Sequence, residues 1–175
     1  MARSSWARMS FKIESVVDNF PKFKKANDTL RQNDVLVGVP SVKAPRNSQE
    51  AKAQGIAINN AALAYIHENG MPSRNLPARP FLRPGIENAR DRISRYLQAA
   101  GEATFSGKQE LVRKNLTAAG ITASTAVKAK ISSGPFAPLK ESTLAARRRR
   151  GRTGTKPLLD TGQLRNAISF VVRTR

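Results

Sequence analysis

The stretch that decides the fold is IENARDRISRYLQAAGEATFSGKQELVRKNLTAAGITASTAVKAK, residues 86–130. Apolar residues recur in it every three or four positions, which is the period of one face of an α-helix. The pattern predicts one helix over about 86–100 and a second over about 108–130. Gly120 is a place where the second helix can break in two. The centre of the chain is therefore predicted to be helical.

Two short runs rich in β-branched residues predict strands on either side of these helices. Residues 35–39 read VLVGV and are closed by Pro40, and residues 168–174 read ISFVVRT near the end of the chain. Between residues 71 and 84 there are four prolines, which push the preceding residues out of helical geometry and predict an extended segment.

Three shorter helices are predicted from capping residues and stop signals. The first covers 61–68 and is capped by Asn59 or Asn60, the second covers 141–150, and the third covers 162–167 and is capped by Asp160 or Thr161.

Residues 1–34 are predicted to form an N-terminal extension of the folded domain. It begins as a short strand or coil and continues as a helix in two pieces, interrupted at Pro21. The predicted fold class is α+β: a single domain over residues 1–175 with a small antiparallel β-sheet, several helices and long inter-subunit loops or arms. Residues 145–157 are predicted to be a flexible basic loop within it.

The composition restricts the chemistry. The chain has no cysteine and one histidine, so thiol chemistry is excluded and a histidine-based metal site lacks ligands. No cofactor is predicted. No stretch is apolar enough for a signal peptide or a membrane span, so we expect a soluble protein made in the cytoplasm. The net charge of +19 predicts an anionic partner: nucleic acid, an acidic protein or an acidic membrane surface.

The candidate catalytic groups are few. His67 and Glu68 are adjacent in a helix, where neighbouring side chains do not face each other, so a satisfied structural histidine is the favoured interpretation. Glu87 and Asp91 share a helix face with several arginines, which favours surface ion pairs over an acid–base pair. The sequence thus predicts no catalytic residue and no enzyme.

The densest positive charge lies in residues 147–156, where no aromatic side chain offers a platform for stacking bases. Three roles are open: a solvated loop, a sequence-independent contact with the DNA backbone, or a contact with an acidic protein. The candidate contact residues are Arg147, Arg148, Arg149, Arg150, Arg152 and Lys156.

Two pairs of motifs in this order resemble a known group of proteins. The first block is NAALAYIHENG, residues 60–70, followed by LPARPFLRP, residues 76–84. The second is PLKESTL, residues 138–144, followed by KPLLDTGQLR, residues 156–165. Together they resemble the minor tail protein Z-like and virion-morphogenesis proteins of long-tailed phages, over roughly residues 55–172. One departure is Asn69, where many relatives carry an apolar residue. The residues that carry the resemblance are Asn60, Glu68, Gly70, Asp160, Thr161, Gly162, Leu164 and Arg165.

The resemblance implies a structural virion protein that forms a ring, six-fold in the simplest case, at the head–tail neck or the proximal end of the tail. Its partners would be further copies of itself and the adjacent connector, stopper, tail terminator or tail tube rings, with double-stranded DNA passing through the lumen. A tail terminator or head-closure ring is an alternative of the same class. An accessory protein that binds DNA without sequence preference is an alternative of another class.

The proline-rich segment of the first block has two interpretations. Apolar side chains flanked by arginines suggest an exposed arm that packs on the next subunit of a ring. Alternatively, Phe81 fills the core of its own chain. The candidate interface residues are Leu76, Arg79, Pro80, Phe81, Leu82 and Arg83.

Overall fold

The computed structural model describes residues 19–45 and 58–174, and within them the chain folds as seven α-helices and a two-stranded sheet. The predicted α+β fold in a single domain with a small antiparallel sheet is confirmed. Two 3-10 turns lie at Ser41–Lys43 and Pro72–Arg74. In chain order the elements are α1 (Phe20–Gln32), β1 (Asn33–Gly38), α2 (Asn60–Asn69), α3 (Leu82–Glu87), α4 (Arg90–Phe105), α5 (Gln109–Ser133), α6 (Glu141–Arg149), α7 (Gln163–Ala167) and β2 (Ser169–Thr174).

The long helix α5 is the centre of the fold, since α3, α4, α7 and both strands pack on it. Its buried residues follow helical spacing from Val112 to Ile131. The helix runs through Gly120 without a break, so the possible interruption there was wrong. The glycine serves packing instead: a Cβ atom at this position would overlap the ring of Phe170 on β2.

Substitution of Gly120 tests this helix–sheet contact. Gly120→Ala should lower the free energy of unfolding by about 1–3 kcal/mol, because the added methyl group displaces the ring of Phe170. Gly101→Ala in α4 is the matched control, since its Cβ would meet open space. That change should raise stability by about 0.5–1 kcal/mol through helix propensity alone. Urea unfolding of both variants measures the difference, and equal effects would contradict the proposed contact.

The sheet pairs the segment that follows α1 with the last described residues of the chain. β1 and β2 pair antiparallel, with Asn33 opposite Thr174 and Gly38 opposite Ser169. Both predicted strands are therefore confirmed. One face of the pair packs on α5, and Asp34 and Arg173 form an ion pair of 3.2 Å across the ladder.

Phe81 lies in the main core and is only 1% exposed. It packs there with Val127, Leu164 and Ile168 among others. The interpretation of Phe81 as an exposed arm residue was therefore wrong, and the alternative, that it fills its own core, is confirmed. The neighbouring Leu82 is half-buried against the same cluster.

Two prolines sit differently from their predicted roles. Pro21 lies in the first turn of α1, where a backbone N–H is not needed, so it does not divide the helix. The predicted segment before Asn19 lies outside the described residues. In the segment over 71–84, a bridge between Met71 and Leu76 closes a tight turn, and Pro84 already belongs to α3. The segment is therefore only partly extended.

Candidate functional site

The first block is organised by the carboxylate of Glu68 on α2. Its Oε2 accepts hydrogen bonds from the backbone N–H groups of Phe81 and Leu82, both at 2.8 Å, and its Oε1 accepts from Arg83 at 3.1 Å. These N–H groups begin α3 and have no partner inside the helix, so a negative charge stabilises them. Gly70 lets the chain turn back at φ +78°, and a Cβ there would lie 2.8 Å from the nitrogen of Ala78. Glu68 and Gly70 therefore set the path of residues 76–84.

Asn59 and Asn60 begin α2 in different ways. The side chain of Asn59 caps the helix by accepting the N–H of Ala62 at 2.8 Å. Asn60 is buried, and its amide donates to the carbonyls of Lys43 at 3.3 Å and Pro45 at 3.2 Å. Asn60 therefore ties α2 to the segment that follows β1.

Arg79 connects the two blocks. It is 4% exposed, and its guanidinium donates from Nε to Ala137 O at 2.9 Å and from Nη2 to Pro138 O at 3.1 Å. Burial, with the positive charge of Arg147 nearby, lowers the pKa of Arg79 below its ordinary value. Arg79 thus belongs to the interior of this chain and not to an exposed arm. The sequence pattern gave no sign that it reaches residues nearly sixty positions away.

Arg147 holds the loop that follows α6. It is 6% exposed, and its Nη1 donates to the carbonyl oxygens of Gly154 at 2.8 Å, Lys156 at 2.9 Å and Leu159 at 3.2 Å. Its Nε lies 3.4 Å from Oδ1 of Asp160. Arg147 therefore lies on a helix with its guanidinium held inside the chain, and not on the flexible basic loop that was predicted over residues 145–157.

Asp160 was one of the two residues predicted to cap the last helix, and it does not do so. Its Oδ2 accepts from Nη1 of Arg152 at 2.7 Å, so the carboxylate is the counter-ion of two arginines. Gly162, at φ +75°, precedes α7, and the hydroxyl of Thr161 accepts the N–H of Gln163 at 3.4 Å. No side chain caps α7 directly.

The remaining cations of the basic segment are exposed or on its surface. Arg148 pairs with Glu141 at the other end of α6. Arg150 donates to the carbonyl of Ala146 at 3.0 Å, and Lys156 donates to that of Ser132 at 3.1 Å. Arg149 is exposed. The six predicted contact residues thus divide into a buried Arg147, a half-buried Arg152 and four exposed cations.

The other predicted residues have mixed environments. Leu164 is buried in the main core, and Leu76 is half-buried. Pro80, Arg83 and Arg165 are exposed.

A cavity of about 440 Å³ opens where the two blocks meet. We call it the interblock cleft and define it by its charged lining, which consists of Arg74, Arg79, Lys140, Arg147, Arg150 and Asp160, with His67 beside them. Leucine side chains from both blocks, among them Leu76 and Leu158, complete the lining. Arg74 and Lys140 were missed in the sequence. Lys140 lies inside the PLKESTL motif and Arg74 lies between the two parts of the first block, and these positions were the one signal that could have identified them.

The acidic residues that were considered as catalytic or metal-binding candidates lie on the surface or apart from one another. Glu87 forms an exposed ion pair of 3.0 Å with Arg90 on the helix surface, as predicted. Among the described residues, no three His, Asp or Glu side chains form a group that could hold a metal ion. In residues 19–45 and 58–174 no helix has the length and apolar character needed to cross a membrane.

Comparison of the chain with protein-family models, curated proteins and solved structures finds no match.

Proposed function

We propose that the chain is a non-enzymatic structural subunit of a tailed-phage virion, which forms a six-fold ring at the head–tail neck or the proximal end of the tail. The ring would complete the tail and join it to the head connector. The observation that carries the proposal is that both blocks of the resemblance build one framework, in which Arg79 of the first block donates to the carbonyls of Pro138, the first residue of the second block, and of Ala137 just before it. The two blocks, which are far apart in the sequence, thus contact each other in the folded chain.

The charged residues of this framework support a structural role. Glu68 is bonded to three backbone N–H groups, and Arg147 to three backbone carbonyls. A side chain engaged in this way fixes a loop and has little capacity left to act on a substrate. The motif residues therefore hold the shape of long loops, as a ring subunit requires.

An exposed aromatic patch supports assembly with other chains. It is centred on Phe23 on α1 and Phe105 at the end of α4, each more than half exposed. Phe23 and Phe105 stack with ring centroids 5.3 Å apart. A cluster of this kind on a protein surface marks an interaction site. It takes the place of the Phe81 arm as the candidate subunit contact.

The native mass as a function of salt tests the ring. Six copies would repel each other through a charge of +19 on each chain, so we expect single chains at low ionic strength. High salt screens the repulsion, and mass photometry should then find particles of six times 19.1 kDa, with a six-fold ring in negative-stain images. Phe23→Ser should prevent these particles, and Tyr65→Ser, on the exposed side of α2, should not. A dimer or a single chain as the largest species at every salt concentration would contradict the proposal.

A further inference from the structure

We propose that the interblock cleft binds an extended acidic peptide segment of a neighbouring protein, with an apolar side chain between carboxylates. The identity of the neighbour rests on the proposed ring function, but binding itself requires only the folded single chain. Binding of an acidic peptide to the cleft can therefore be tested separately from assembly of the ring.

The first argument is the charge of the lining. Among the described residues that line the cleft, Arg74, Arg79, Lys140 and Arg147 supply positive charge in addition to Arg150, and Asp160 is the one carboxylate. That carboxylate is already engaged by Arg147 and Arg152. A concave surface with one sign of charge concentrates its field and attracts ions of the other sign. The unbalanced positive charge therefore favours an anionic occupant.

The second argument is the division of the cations between the interior and the rim. Arg79 and Arg147 are buried and held by backbone carbonyls, which orient the two guanidinium groups; Arg147 is in addition paired with Asp160, which it shares with Arg152. Arg74 and Lys140 are exposed at the rim. The fixed inner charges supply a lasting positive potential, and the exposed side chains can close on carboxylates that enter.

The third argument is the apolar part of the lining. Leu63, Leu76, Leu139 and Leu158 all contribute to the same cavity. Its volume of about 440 Å³ lies within the range of roughly 300–1,000 Å³ that is typical of ligand sites. A peptide can place an aliphatic side chain against the leucines while its carboxylates meet the cations.

The same lining disfavours nucleic acid. Among the described residues that line it there is no Phe, Tyr or Trp, so the imidazole of His67 is the one ring on which a base could stack. The phosphates of a DNA duplex could reach the exposed rim, but the duplex offers no apolar group to the leucines inside. An acidic peptide uses both parts of the cleft and is the better fit.

Fluorescence anisotropy with a labelled Glu-Asp-Leu-Asp-Glu peptide tests the proposal on the single chain at low ionic strength. The double variant Arg74→Gln, Lys140→Gln should weaken binding about tenfold, because it removes two ion pairs at the rim. Arg113→Gln, Lys114→Gln is the matched control; both residues are exposed on α5 and line a different hollow. It removes the same charge and should change the Kd less than twofold.

Two further arms separate the shape of the cleft from its charge. Thr143→Trp fills the cleft without altering its charge and should also weaken binding of the peptide. A peptide with Ser in place of the central Leu should bind the unaltered chain more weakly for the same reason. Absence of binding, or equal losses in the cleft and control variants, would overturn the proposal. Displacement of the peptide by random duplex DNA, with no dependence on the central Leu, would instead assign the cleft to phosphate backbones. A ring that forms without peptide binding would leave the proposed function intact and refute the cleft proposal alone.

Discussion

Phe81→Ala should lower the free energy of unfolding of the single chain by about 3–5 kcal/mol, which is the range for truncating a buried Phe. The expected loss is large because Phe81 is nearly fully enclosed between α5 and the segment from Leu158 to Ile168. Removing the ring leaves a cavity that helix α5, bonded along its whole length, cannot close. Guanidinium unfolding followed by circular dichroism measures the change.

The matched control is an aromatic residue outside the core. Tyr65→Ala on α2 removes an exposed ring and should alter stability by no more than about 0.5 kcal/mol. If the two variants unfolded at the same denaturant concentration, Phe81 would not be a core residue. The segment around it would then return as a candidate subunit arm.

The sequence pattern around Phe81 suggested the wrong environment for a physical reason. Arg79 and Arg83 flank it, and charged neighbours normally indicate an exposed segment. Arg79 is nevertheless buried, because carbonyl groups of residues 137 and 138 receive its guanidinium. Such a contact spans nearly sixty residues and leaves no trace in a local window. Burial of a paired charge is therefore the feature that pattern arguments miss.

The elements themselves were easier to predict than their contacts. The β-branched runs at 35–39 and 168–174 lie almost wholly in strands, because this pattern depends on local spacing. The periodic stretch over 86–130 is helical, but its first residues, 86 and 87, end α3, and α4 begins only at Arg90. Gly120 suggested a helix break from propensity alone. Its actual role depends on Phe170, which lies fifty residues later and packs on it. Local preference was overridden there by tertiary packing.

In the basic segment, too, tertiary contacts decide what the local sequence does not, within a few residues. Four consecutive arginines, 147–150, are identical in type, and composition gives no means of ranking them. The period of α6 turns Arg147 inward and leaves the next three at the surface. Once inside, its guanidinium meets the carbonyls of the returning loop. The roles of these arginines therefore follow from helical phase and from a loop whose course the sequence does not specify.

Arg147→Met should accordingly destabilise the chain by about 3 kcal/mol, near the lower end of the range for breaking a buried ion pair. The variant leaves three carbonyl oxygens, of Gly154, Lys156 and Leu159, without their donor. Asp160 loses one of two cationic partners and keeps Arg152, which moderates the loss. Met occupies a similar length, so the effect reports the lost charge and hydrogen bonds more than an empty volume.

Arg149→Met is the control from the same run, since this side chain is exposed at the end of α6. It should change the free energy of unfolding by less than about 0.5 kcal/mol. Thermal and urea unfolding of both variants give the comparison. Limited proteolysis should in addition cut the 151–159 loop faster in Arg147→Met, because opening of that loop no longer breaks the carbonyl contacts. Equal stability and equal cleavage in the two variants would show that Arg147 does not anchor the loop, and would restore it as a candidate surface cation.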